Sequence, residues 1–137
     1  MQMHFSQEQT KAVDTELQVL LSKGVVVSRS HSSDEYVSPI FVVPKKDSKF
    51  RLILNLENLN QFVQHHYFNM ETLKYALTLV SQNCFFCSLD LQDTYISVYM
   101  APAAQNLLKF VWKGQLYKFT AFPNGLASCP RLFTKLL

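Results

Sequence analysis

Two carboxylates three positions apart, Asp90 and Asp93, stand at the end of the apolar run NCFFCSLDL, which reads as a buried strand. Carboxylates in such a place are costly unless they are paired or bind a cation, so a metal or catalytic site is one reading. The other is that Asp93 simply caps the turn that follows. Spacing alone leaves both open. Upstream, IFVV-PKKDSK-FRLIL places Lys45 and Lys46 in a polar turn and Arg51 just inside the next apolar run. Arginine offers a planar fork to phosphate oxygens and lysine a mobile point charge, so this unit is a candidate phosphate holder. A basic hairpin tip is also a common solvated feature. Cys84 and Cys87 have C-x-x-C spacing, but strand positions three apart face opposite ways and cannot share one ion. The histidines, His4, His31, His65 and His66, are scattered. These cysteines are therefore expected to be structural and not zinc ligands.

The elements that must position these groups are legible in part. Ser6 and Gln9 have capping-box spacing, and Val13, Leu17, Leu20 and Leu21 follow at helical intervals until Gly24 supplies a stop. A short strand is expected over residues 25–27 and a polar loop over 28–38. The lysine-tipped unit reads as a β-hairpin. Residues 55–60 read as a turn with short helical content. A second helix is expected over 71–81, with Leu73, Leu77 and Val80 on one face, followed by a strand over 85–89. The alternation of Ile96, Val98 and Met100 predicts a half-buried strand. Residues 107–121 read as a hairpin turned at Lys113-Gly114. Pro123 to Gly125 interrupts the pattern, and residues from Ala127 on read as a helix whose apolar periodicity runs to the last residue. Such a helix, ending uncapped at Leu137, has the look of a truncated chain.

Length and composition bound the function. A chain of 137 residues with 48% hydrophobic content and 17% charged residues is globular, not disordered, and has room for one core. No run approaches the roughly 18 apolar residues of a membrane span, and the start, MQMHFSQEQTK, has neither a basic nor an apolar leader region. An intracellular location, with no membrane association, is the expectation. The net charge is only +3, but no acidic residue follows Asp93, while Lys109, Lys113, Lys118, Arg131 and Lys135 do. A cationic C-terminal third suits a polyanion such as nucleic acid, and equally a solvated basic face.

Three segments, in this order, resemble reverse transcriptases, the RNA-directed DNA polymerases of retrotransposons, and are most similar to the DIRS-like and gypsy-like type. SPIFVVPKKDSKFRLILNLENLN looks like their fingers hairpin. CSLDLQDTYISVYM looks like the first palm motif, and FTAFPNGLASCPRLFTKLL like the turn that opens a palm helix. The helix ending in LLSKGVV also fits the region before the hairpin, so the resemblance covers residues 17–137. It implies an α+β fold with helices packed on antiparallel strands: fingers plus the first half of a right-hand palm, truncated. The implied divisions are an N-terminal helix and lead-in over 1–27, fingers over 28–82 and partial palm over 83–137.

Carried over residue by residue, the resemblance implies that Asp90 is the catalytic carboxylate and a ligand of both Mg²⁺ ions, with the Leu91 carbonyl adding an oxygen. Asp93 would offer its backbone amide to the nucleotide, and Tyr95 would lie under the incoming sugar and disfavour a 2′-hydroxyl. Lys45 or Lys46, with Arg51, would hold the triphosphate. Asn124 and Gly125 would meet nucleotide or template. The implied partners are an RNA template, a DNA primer and a deoxynucleoside triphosphate.

The family completes its metal site with an Asp-Asp pair some tens of residues after the glycine turn, and this sequence has no acidic residue beyond Asp93. The thumb, connection and ribonuclease H regions are missing too, as the remainder of the polymerase chain. Thr94 stands where alanine is usual, and Asn124 where an aromatic or glutamine is commoner. The expectation is a piece of polymerase inactive by itself. Its alternatives are a residual nucleic-acid or nucleotide-binding module, or a decayed copy without function.

Overall fold

The computed structural model describes residues 4–137; Met1 to Met3 lie outside them. Helix α1, Gln7–Ser22, begins at a capping box in which the Gln9 amide donates to Ser6 Oγ and the Ser6 amide to Gln9 Oε1. Its end closes as a Schellman motif. The Val25 amide donates to the Leu20 carbonyl, the Gly24 amide to Leu21, and Gly24 takes φ +70°. Val13 and Leu17, one turn apart, are its buried stripe.

Strand β1, Val26–Arg29, starts one residue later than expected and claims Ser28 and Arg29 from the predicted loop. Strands β2, Ile40–Pro44, and β3, Phe50–Leu54, form the predicted hairpin, paired from Ile40 with Leu54 to Pro44 with Phe50. Pro44 sits at the strand end, where its missing N–H matters least. A four-residue helix α2, Glu57–Asn60, follows. Helix α4, Pro102–Gln105, leads into β4, Lys109–Trp112, and β5, Gln115–Phe119. Their turn has φ +48° at Lys113 and +78° at Gly114, the left-handed pair that a two-residue hairpin connection requires. The three-stranded sheet runs β1-β5-β4, antiparallel throughout.

Helix α1 packs against β1 and against the β2–β3 hairpin, joining the two sheets. Val13, Leu17, Val26, Leu54, Phe110 and Leu126 meet in one core, and each large side chain there contributes about 1.5–3 kcal/mol through burial. The last helix, α5, Cys129–Leu136, closes it with Cys129 fully buried. Thr120, also buried, is satisfied: its hydroxyl donates to the Gly24 carbonyl at 2.7 Å and its amide to Val25 at 2.8 Å. These bonds tie the end of α1 to the end of β5. The α+β class with helices on antiparallel strands is as expected from the sequence.

Three predicted elements differ. The helix expected over 71–81 is only α3, Leu73–Thr78, and buries nothing; Leu73, Leu77 and Val80 share an exposed stripe. The strand expected over 85–89 does not form: Phe85 is 100% and Leu89 87% exposed, in irregular backbone. A strand needs a neighbour for its N–H and C=O groups and cover for its apolar faces, and no described residue supplies either. The strand expected from Ile96 to Met100 opens instead as a 3-10 turn, Tyr95–Ser97. Only Val98 to Met100 is extended, with Met100 donating to Thr120 and Phe122 to Val98. Cys84, half-buried, and Cys87, exposed, therefore lie outside any strand, and strand geometry does not set the faces they present.

Candidate functional site

A groove of about 630 Å³ opens between the end of α1, the β2–β3 hairpin and the segment around Asp93. It gathers five of the residues marked in the sequence, Lys45, Arg51, Asp93, Tyr95 and Asn124, from positions up to 79 apart in number. Lys46, Asp90, Leu91 and Gly125 are not among its lining residues. Lys46, Asp90 and Leu91 are exposed, Lys46 at the hairpin tip.

Each wall has a local reason. The five-residue connection of the hairpin is closed by the Lys45 amide donating to the Lys49 carbonyl, with Ser48 at φ +62°. That closure holds Lys45 and Lys49 at one end of the strand that carries Arg51. Asp93 takes φ +55°, a left-handed conformation that Asp tolerates better than most residues. Its carbonyl accepts from the Ser97 amide at 3.0 Å and so starts the turn carrying Tyr95. The Tyr95 ring packs edge-on against Phe133 of α5, centroids 5.4 Å apart. The Pro123-Asn124-Gly125 turn is clamped by Asn60, whose Nδ2 donates to the Gly125 carbonyl and whose Oδ1 accepts from the Ala127 amide, both at 2.8 Å. Gly125 has φ +100°, where any side chain would be strained.

The groove is cationic on balance. Lys23, Lys45, Lys49 and Arg51 face two carboxylates, Glu16 and Asp93. Lys23 Nζ lies 2.8 Å from Asp93 Oδ2, whereas Lys45, Lys49 and Arg51 form no salt bridge among the described residues. Free cations around a concave wall are what an oxyanion with several charges needs. Sequence reasoning passed over Lys23, Lys49, Glu16 and Asn60. Lys49 was visible as part of the lysine-rich tip. Lys23, at the α1 C-cap, carried only the general signal of a cation at a helix end.

The cationic C-terminal third does not act as a block. Lys113 is paired with Asp14 at 2.9 Å, which, with the Trp112 indole N–H, holds the Asp14 carboxyl below its ordinary pKa. Lys109 and Lys118 stand opposite each other in β4 and β5, and desolvation, then Arg29 and Lys109, push the Lys118 pKa down. Elsewhere, His31 Nδ1 donates to Glu35 Oε1 and its Nε2 to the Gly114 carbonyl; both contacts raise its pKa, while Glu35 is lowered, first by His31. Burial pushes the Cys129 thiol up to about 12. A second hollow, of about 500 Å³, lies beside Phe5 and Trp112 and is lined by none of the residues to which the resemblance gives a catalytic or nucleotide-binding role.

The described residues contain no group of three or more His, Cys, Asp or Glu side chains able to hold a metal ion. Asp90 is exposed and has no partner carboxylate in such a group, so these residues do not by themselves fit a two-ion site.

No family profile matches the chain. It is similar in sequence to Pol polyproteins of retroviruses and retrotransposons. The Pro-Pol polyprotein of simian foamy virus type 3 is 26% identical over 123 residues, covering 90% of this chain and 10% of the polyprotein. The retrovirus-related Pol polyprotein from transposon gypsy of Drosophila melanogaster is 28% identical over 131 residues, covering 91% and 12%. The chain thus spans about a tenth of the curated relatives it matches. A foamy viral protease-reverse transcriptase solved in complex with dsDNA superimposes with a TM-score of 0.78 over 98% of this chain and 28% of that one, at 22% identity, a likeness of fold. Among the described residues, no helix is long and apolar enough to cross a membrane.

Proposed function

We propose that these 137 residues are the fingers and the first half of the palm of a retroelement reverse transcriptase, and that the groove is its nucleotide-binding wall. The observation that carries the reading is the convergence of Lys45, Arg51, Asp93, Tyr95 and Asn124 on one cationic groove. These residues come from three separate motifs, and no local pattern requires them to meet. Lys45 and Arg51, joined by Lys49, would hold the triphosphate of a deoxynucleotide. The Asp93 amide would steady it, and Tyr95 would lie under the sugar. Lys46, exposed at the tip, and Gly125, in the clamped turn, would reach template or primer. The divisions proposed are lead-in over 1–27, fingers over 28–82 and palm over 83–137. The proposed element type is DIRS-like or gypsy-like, on the order of the three motifs, and the site of action is inside the cell.

Asp90, with the Leu91 carbonyl, would contribute to a Mg²⁺ site that needs further carboxylates to be complete. Nucleotidyl transfer needs two metals to clamp the attacking and leaving oxygens, and one carboxylate cannot hold both. The 137 residues alone are therefore expected to bind a primer-template and not extend it. Binding should fall steeply with salt and weaken in the double variant Lys45→Ala with Arg51→Ala. Salt-independent binding, or none, contradicts the reading, and template-dependent incorporation by the purified chain contradicts its incompleteness.

A further inference from the structure

Among the described residues, Lys23 is the one cation of the groove already engaged, and the engagement crosses the groove wall. Its backbone is fixed at the α1 C-cap by the Schellman bonds, and the next carbonyl, Gly24, is held by the Thr120 hydroxyl at 2.7 Å. Asp93 is fixed in its left-handed conformation at the head of the 3-10 turn. Between these two anchored backbones the side chains meet at 2.8 Å, yet they remain 41% and 43% exposed. A pair this open is weak, because water screens it and each chain keeps other conformations within reach. The Asp93 carboxylate also stands on the same wall as Lys45, Lys49 and Arg51, where it repels any anion they attract.

We propose that Lys23 and Asp93 form an exchangeable latch: a polyphosphate entering the groove takes the Lys23 ammonium from Asp93, so that Lys23 becomes a further cationic ligand and the Asp93 carboxylate sets how tightly anions are held. The inference rests on the reading of the groove as a polyphosphate site. It assigns Asp93 a side-chain role opposite in sign to that of its backbone amide. The amide favours the anion, and the carboxylate competes with it.

The test is an equilibrium titration of the intact 137-residue chain with inorganic tripolyphosphate at low salt. Asp93→Asn isolates the charge, because asparagine also tolerates the left-handed backbone. It is expected to bind roughly threefold to tenfold tighter than wild type. Adding Lys23→Met to Asp93→Asn should abolish that gain if Lys23 is a ligand. Equal or weaker binding by Asp93→Asn, or a gain that survives Lys23→Met, overturns the latch. The double variant Lys45→Ala with Arg51→Ala separates the two claims. If it binds as wild type does, or if wild type does not bind, the groove reading itself fails and the latch with it. If it loses binding while Asp93→Asn gains nothing, only the latch fails. Thermal unfolding of each variant confirms that the comparison is between folded proteins.

Discussion

Phe110 and Phe85 are the same side chain in comparably apolar segments, yet Phe110 is wholly buried and Phe85 wholly exposed. Phe110 lies in β4, bonded to β5, with its ring stacked on Tyr117 and tilted against Phe119. Phe85 lies in a stretch where Tyr67, Leu73, Leu79, Phe86 and Leu89 are exposed as well. Apolar composition brings a segment into a core only when a second surface of matching shape is there to meet it. The β1-β5-β4 sheet, the β2–β3 hairpin and α1 supply such surfaces to one another, and residues 64–91 receive none from the described chain. The groove belongs to the first region along most of its walls, whereas Asp90 lies in the second and is exposed.

The comparison is sharpest at these two phenylalanines. Phe110→Ala is expected to destabilise the fold by about 3–5 kcal/mol through lost burial and the cavity left behind. Phe85→Ala should change stability by less than about 0.5 kcal/mol. Urea denaturation of both variants checks this, and a large loss at Phe85 would show that residues 64–91 are packed.

Next in size is the clamp that keeps the 123–125 turn within the ordered region. Asn60→Ala removes both of its hydrogen bonds, and about 1–3 kcal/mol should be lost. Asn69→Ala, an exposed position in the other region, serves as the control near zero.

A smaller effect is expected where α1 meets the β4–β5 turn. Asp14→Ala leaves the part-buried Trp112 indole N–H without its acceptor and breaks the exposed pair with Lys113, for a loss of about 1 kcal/mol. Trp112 fluorescence during denaturation reports it directly.

The smallest effect is a pH dependence in the loop that docks on Gly114. The raised pKa of His31 means that its contribution is fully present below the unfolded value and is lost as pH rises through the folded one. Glu35, lowered, contributes above its unfolded value and loses that contribution as pH falls through the folded one. The pair therefore acts in the window between the two folded values. A histidine proton-resonance titration should show His31 titrating above an ordinary histidine, and Glu35→Gln should bring it back down.

The legible parts of the sequence were those whose partners are close in sequence. The Ser6–Gln9 box, the Gly24 stop, the Lys113-Gly114 turn and the lysine-tipped hairpin each carry their own signal within a few residues, and each was found. The 85–89 strand failed because strand formation is decided by a neighbour, which periodicity cannot report. The 3-10 turn at Tyr95 was hidden under an alternation that begins only at Val98, and α4 offered little beyond Pro102 at its start. Of the groove residues, Lys45, Arg51 and Asp93 were marked by the sequence pattern itself, and Tyr95 and Asn124 only through resemblance. Lys23 was not, since its role depends on meeting Asp93 across 70 residues. Asn60 was hidden for the same reason, 65 residues from the carbonyl it holds.

The central claim is that residues scattered over three motifs form one anion-binding wall. The most direct test is a titration of the isotopically labelled chain with a deoxynucleoside triphosphate, followed by backbone amide resonances. Saturable shifts are expected at Lys45, Lys49, Arg51, Asp93 and Asn124, with Arg29, Lys109 and Lys118 on the sheet unmoved. Shifts confined to the sheet cations, or none at all, would contradict it.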